Sequence, residues 1–276
     1  MTHTLNAELT WKALVSDLST WKRGDTRAVH KPLLTLLLLA RAQSGAARLV
    51  PYSQVHGPLK QLLRDFGPPR KTYHPEYPFW YLRSDGFWDV RDADALDRRK
   101  NKDQPTHSAL LQADARAEVP EELWRALTAQ PELVSLLARS LLDEFFEETL
   151  HDAIAAAVGL DIDEGFVTGR RRPRDPKFRA EVLRAWERRC AFCGFDARLG
   201  DTLFGLEAAH IHSHRFKGPD IIQNGLALCS LHHKAFDFGA MSLDHELRVL
   251  VSEDIAGHDA VTETLIRYAG RRLCGP

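Results

Sequence analysis

Two pairs of metal-ligating residues constrain this chain more than any other feature. Cys190-x-x-Cys193 and Cys229-x-x-His232 stand 36 residues apart between their inner members. A two-residue gap lets both members of a pair turn onto one ion, and two such pairs complete a closed tetrahedral site. A closed site has no position for water, so the ion expected here is structural Zn2+, stapling a segment that otherwise has little core. Cys274 is left over near the C-terminus. Four cysteines spaced this way, in a chain with no visible signal peptide, suggest metal ligation before disulfides and a cytoplasmic protein.

The 276 residues leave room for two ordinary domains. The longest apolar run, Leu33 to Ala40, falls far short of the roughly 20 residues that span a bilayer, so no membrane segment is expected. A formal net charge of −1 gives nucleic-acid binding no support by itself. Its distribution does, because Thr168 to Arg189 carries nine Arg or Lys against three acidic residues. Such a stripe can track a phosphate backbone; it can equally be a solvated linker and helix face. The expected fold class is α+β: a mixed helical and β N-terminal recognition domain over 1–160, a basic linker over 161–177, and a zinc-stapled ββα-metal domain over 178–276. Apolar spacing predicts helices over Ala7–Lys22, from Pro32 to Gly45, and as one long helix from Pro131 to Val158. Residues 50–105, rich in Gly, Pro and aromatics, read as short strands and loops. After Asp175-Pro176, an N-cap and first turn, Phe178, Val182, Leu183 and Trp186 face inward on a further helix.

Between the zinc half-sites lie Leu206-Glu207-Ala208-Ala209-His210, a Gly-Pro loop, Asn224-Gly225-Leu226-Ala227-Leu228-Cys229, and His232-His233-Lys234-Ala235-Phe236-Asp237. Two strands, a loop and a helix around one metal make a ββα-metal unit. This stretch resembles the HNH endonucleases, with His210, Asn224 and His233 in the three signature positions. Phosphodiester hydrolysis needs a group to deprotonate water and a cation to neutralise charge on the phosphate and leaving oxygen. A neutral imidazole suits the first task, which makes His210 the expected general base. A divalent ion, Mg2+ or Mn2+, held by His233 suits the second, although histidine ligation leaves softer ions open. The resemblance implies that Asn224 orients the His210 ring and steadies the loop. Where many HNH enzymes carry a further ligand, this chain has Ala209. Glu207, two residues back on the same strand face, and Asp237, one helical turn after His233, are the alternatives for the second ligand. His212 and His214 flank the site.

A bare ββα-metal unit grips backbone with little sequence preference, so target choice falls to the first domain. His30-Lys31-Pro32-Leu33-Leu34, Tyr73 to Trp88, and Arg98-Arg99-Lys100-Asn101-Lys102 together resemble the sulfur-binding domain of phosphorothioate-dependent, McrA-type restriction endonucleases. The order of that domain before an HNH domain matches as well. The resemblance implies that Tyr77 and Pro78 touch the sulfur, with Tyr81 beside them. It also implies that His30 and Lys31 read base edges or phosphates, and that Arg99, Lys100 and Lys102 contact backbone or groove. A softer, less hydrated atom asks for an apolar, shaped pocket with a cation nearby. Burying it in place of oxygen is worth about 1–3 kcal/mol. Phe79, Trp80, Phe87 and Trp88 suit a core better than a surface.

The expected partner is double-stranded DNA carrying backbone phosphorothioate. One HNH site cuts one strand, and a homodimer would suit palindromic sites. Three other readings stay open: an HNH enzyme that reads a methylated base, a zinc-stabilised DNA-binding module that does not cut, and a nuclease whose first domain meets a protein partner.

Overall fold

The computed structural model of the protein describes residues 18, 22–23, 26–68, 70–99, 103–162, 176–213 and 218–275. It divides into two units, Met1–Thr168 and Gly169–Pro276. Three of the expected features fall outside the described residues: nearly all of the 7–22 helix, the arginine run of the linker, and the tip of the 98–102 loop.

In the first unit a hairpin of short strands, β1 (Lys22–Arg23) and β2 (Thr26–Arg27), leads into helix α1 (His30–Gln43). Lys22 therefore belongs to a strand and does not end a helix. Five leucines of α1 (Leu33, Leu34, Leu36, Leu38 and Leu39) are fully buried. A helix apolar on every side must be central, and the rest of the unit wraps around it. Strand β3 (Leu49–Pro51) runs directly into helix α2 (Tyr52–Phe66), and the short helix α3 (Glu76–Tyr81) follows. Next come β4 (Asp89–Val90), α4 (His107–Gln112), β5 (Arg116–Glu118), α5 (Glu121–Ala129), α6 (Pro131–Phe145) and α7 (Glu148–Val158). Strand β5 is the centre of an antiparallel sheet in the order β3-β5-β4, with Ala117 opposite both Val50 and Val90.

Two expectations are corrected here. Residues 52–66 are helical despite Gly57-Pro58, because Val55, Leu59, Leu62 and Leu63 form one buried stripe. Pro58 sits on the exposed face of α2, away from that stripe. The long helix expected over 131–158 is two helices. Phe146 adopts an extended backbone (φ −135°, ψ 153°) and buries its ring, which turns α7 away from α6.

The second unit opens with helix α8 (Pro176–Ala185), whose Phe178, Val182 and Leu183 are buried. The hairpin β6 (Arg198–Leu199) and β7 (Thr202–Leu203) comes next. Strands β8 (Leu206–His210) and β9 (Gly225–Cys229) then pair antiparallel along their whole length, from Leu206 opposite Cys229 to His210 opposite Gly225. Helix α9 (Ser230–Asp237), the hairpin β10 (Met241–Leu243) and β11 (Val249–Val251), and helix α10 (Asp259–Thr264) complete the unit. Helix α8 lies so close to β9 that a Cβ on Gly225 would come within 2.3 Å of a Val182 methyl, which explains the glycine after Asn224. Among the described residues no helix is long and apolar enough to cross a membrane.

Candidate functional site

The knuckle between α8 and the β6–β7 hairpin presents two of the four expected metal ligands. Left-handed backbone at Glu187 and Arg188 ends the helix, and Gly194, with φ 73°, closes the turn through its N–H to the Cys190 carbonyl. The end of β9 and the first turn of α9 supply Cys229 and His232. Ligand atoms of all four residues lie within 4.8 Å of one another. Tetrahedral zinc–sulfur bonds of about 2.3 Å would set sulfurs ~3.8 Å apart; Cys193 and Cys229 Sγ are 4.0 Å apart. His232 turns Nδ1 toward the Cys190 and Cys229 sulfurs at 3.4 and 3.2 Å, and its Nε2 donates to the Thr264 carbonyl at 2.8 Å. That outer hydrogen bond fixes the tautomer a ligating imidazole needs. This cluster can hold a metal ion, and the soft donor set fits zinc.

At the other end of the β8–β9 pair, His210 lies flat against Phe178, with ring centroids 4.3 Å apart and an interplanar angle of 10°. Its Nε2 is 2.8 Å from Asp220 Oδ1, and only 7% of the side chain is exposed. The side-chain amide of Asn224 is hydrogen-bonded to the loop between β8 and β9. Its Oδ1 accepts from the His212 N–H at 2.8 Å, and its Nδ2 donates to the His212 and Pro219 carbonyls, both at 3.0 Å. The amide thus staples the two ends of the loop that carries Asp220. Asp220 is the residue the sequence reading missed. A Gly-Pro-Asp triplet signals a turn, and nothing local shows that its carboxylate reaches back to a strand.

His233 faces both alternative carboxylates. Its Nδ1 is 2.6 Å from Glu207 Oε2 on β8, and its Nε2 is 3.5 Å from Asp237 Oδ2 one turn along α9. Glu207 also accepts from Ser230 Oγ at 3.1 Å. The carboxylates face opposite ring nitrogens, so an ion bound to His233 would share it with one of them, and an imidazole with a carboxylate suits a hard or borderline divalent cation. His212 is close to the loop staple through its backbone, and His214 lies outside the described residues.

In the first unit a cavity of about 630 Å³ opens between the start of α1 and the face of α3. Five of the predicted recognition residues line it: His30, Lys31, Tyr77, Pro78 and Tyr81. Most of the lining is apolar, with rings from Tyr73, Tyr77 and Tyr81, and Arg70 adds a cation at the rim. Burial, with Arg70 and Lys31 nearby, pushes the His30 pKa down to about 4, so the ring is neutral at pH 7. Lys31 meets Asp85 at 2.6 Å and enters the cavity as half of an ion pair. Pro78 is buried in α3. Arg99 does not line the cavity; it bonds to the Tyr77 hydroxyl and to Glu76 from behind, each at 3.2 Å. Tyr81 donates to Gln104 Oε1. Lys100 and Lys102 lie outside the described residues. Phe79, Trp80, Phe87 and Trp88 are core, and the Trp88 indole donates to the Phe79 carbonyl at 2.9 Å.

Comparison with known proteins finds two family models on the chain. Residues 9–163, more than half of it, match the ScoMcrA-like DNA sulfur-binding domain, and residues 190–244 match an HNH endonuclease model. Among solved structures, the sulfur-binding domain of ScoMcrA complexed with phosphorothioated DNA is 27% identical at a TM-score of 0.50. That match covers 54% of this chain and 95% of the other. A structure of the sulfur-binding and SRA domains of ScoMcrA, also with phosphorothioated DNA, is 24% identical at a TM-score of 0.51. It covers 73% of this chain and 68% of that one, and shows likeness of fold. No curated protein matches.

Proposed function

Because the chain belongs to the ScoMcrA-like DNA sulfur-binding family and carries an HNH endonuclease domain, we propose that it is a phosphorothioate-dependent restriction endonuclease. Residues 1–160 select double-stranded DNA bearing a backbone sulfur, and residues 178–276 cut the phosphodiester backbone, joined through 161–177. The observation that carries this reading is the cavity of about 630 Å³ in which Tyr77, Pro78 and Tyr81 meet His30 and Lys31. Apolar ring surface favours the weakly hydrated sulfur over oxygen, and the Arg70 cation, with Lys31 as a hydrogen-bond donor already paired to Asp85, answers the charge that remains on the linkage. A neutral His30 can accept or donate a hydrogen bond there without adding charge.

In the nuclease unit His210 takes the proton of the attacking water. Asp220 accepts a hydrogen bond from Nε2–H, which makes Nδ1 the basic atom and stabilises the imidazolium as it forms. Phe178 holds the ring in plane, and Asn224 holds the loop that holds Asp220. His233, with Glu207 at Nδ1 or Asp237 at Nε2, would hold a divalent cation, Mg2+ or Mn2+. Bound there, it supplies charge neutralisation at the scissile phosphate and leaving oxygen. Cys190, Cys193, Cys229 and His232 hold structural Zn2+. The intact His210, Asn224 and His233 set favours a cutting enzyme over a silent binding module. The protein belongs in the cytoplasm under this reading, and a homodimer would bring two single-strand cutters to one site.

Equilibrium binding tests the recognition half. A duplex with one phosphorothioate should bind roughly ten- to a hundredfold more tightly than its plain counterpart, the ratio that 1–3 kcal/mol sets. Tyr77→Ala should remove most of that difference. Equal affinities in the wild type would remove the sulfur reading and turn attention to methylated bases.

A further inference from the structure

The Tyr77 ring is gripped from two sides, and both grips lead to one atom behind the cavity. One face stacks on His74, with centroids 4.8 Å apart and 12° between planes. The hydroxyl accepts from Arg99 Nη1 at 3.2 Å, and that guanidinium also lies 5.5 Å from the ring centre. His74 Nδ1 and Arg99 Nη2 both meet Oε1 of Glu76, at 3.0 and 3.2 Å. His74 is steadied further by Thr72, whose Oγ1 is 3.0 Å from Nε2. Glu76 opens α3, is 3% exposed and does not line the cavity, so it is not placed to touch a ligand.

A carboxylate is seldom buried without a reason, because desolvation is costly unless the charge is paired. Here the pairing holds a ring in place. Sulfur and oxygen at one position of a linkage differ in size and softness, so selection between them depends on close contact. A radial gap of roughly 0.5–1 Å forfeits a quarter to a half of a dispersion contact, and a recognition group must be held to within about 0.5 Å to be useful. Tyr77 sits on a short helix whose own backbone cannot fix the ring's tilt. The tilt is set by His74 and Arg99, and Glu76 orders both.

We propose that Glu76 is a specificity-determining positioning residue: through His74 and Arg99 it fixes the Tyr77 ring and so sets the preference for phosphorothioate over phosphate. The inference rests on the sulfur reading of the cavity.

The test measures dissociation constants of the full chain for two duplex pools. The pools share randomised bases around one linkage, which is phosphorothioate (both diastereomers) or phosphate. The wild type, Glu76→Gln and His74→Ala are compared, with unfolding followed alongside. Glu76→Gln should bring the affinity ratio from roughly ten- to a hundredfold down to within about threefold of unity, while unfolding stays cooperative. His74→Ala, whose side chain is 40% exposed and itself lines the cavity, removes the stack without opening the core and should lower the ratio in the same direction. If Glu76→Gln does not fold, His74→Ala decides, and an unchanged ratio there overturns the proposal. A wild-type ratio in Glu76→Gln, or equal losses on both pools, also overturns it and leaves the sulfur reading standing. A wild-type protein that binds both pools alike overturns the sulfur reading, and the role of Glu76 falls with it.

Discussion

Asp220 separates geometry from charge at the cutting centre. Asp220→Asn keeps a polar group beside His210 Nε2 and removes the carboxylate proposed to stabilise the imidazolium. Single-turnover cleavage should slow by roughly 10²–10⁴, the usual worth of positioned general-base catalysis. His210→Ala should slow it comparably, and the double variant little further, because residues acting as a unit are not additive. Wild-type rates in Asp220→Asn would take the base away from this pair. At the other unit, His30 has a folded pKa of about 4 against an ordinary 6.5. Unfolded chains therefore bind a proton that folded ones refuse. The resulting stability is present in full above about pH 6.5 and is lost as pH falls toward 4. Denaturant titrations should show His30→Asn losing less stability than the wild type between pH 7 and pH 5, and an equal loss in both would mean His30 is not the group responsible. At this scale the signature residues were legible, since His210, Asn224 and His233 are named by type, order and spacing. Asp220 and Glu76 were not, because each acts through a fold that brings distant residues to it, and an isolated acid in a loop or an aromatic stretch carries no local signal.

Among the elements, the zinc knuckle and the β8–β9–α9 unit were readable because metal spacing and strand alternation are short-range patterns. Helix α1 was readable from its leucines. What tertiary packing decided was hidden. Pro58 reads as a breaker until its exposure on α2 is known, and Phe146 reads as one more apolar residue in a helix until its extended backbone splits α6 from α7. The knuckle also carries a prediction. The nuclease unit has a small core, and Cys190 and Cys229 belong to it, so a metal held by the four ligands would contribute folding free energy outright. A strong chelator, or Cys229→Ser, should melt α8 and α9 and end cleavage, while the first unit keeps its helical signal and its DNA binding. Circular dichroism of the full chain reads this directly: no loss of helix on chelation would mean that the four ligands do not staple the unit.

For the molecule as a whole, the division of labour between a selecting unit and a cutting unit is the central claim, and it was legible from the order of two resemblances in one chain. How the units cooperate on DNA was not, because the arginine-rich stretch between them has no apolar periodicity to read. The most direct test is cleavage with Mn2+ of two duplex pools that differ only in one backbone sulfur, using the wild type, His210→Ala and Tyr77→Ala. The wild type should cut the sulfur-bearing pool selectively, His210→Ala should cut either pool slower by roughly 10²–10⁴, and Tyr77→Ala should lose the selectivity. Equal cutting of both pools by the wild type, or undiminished cutting by His210→Ala, would contradict that division of labour.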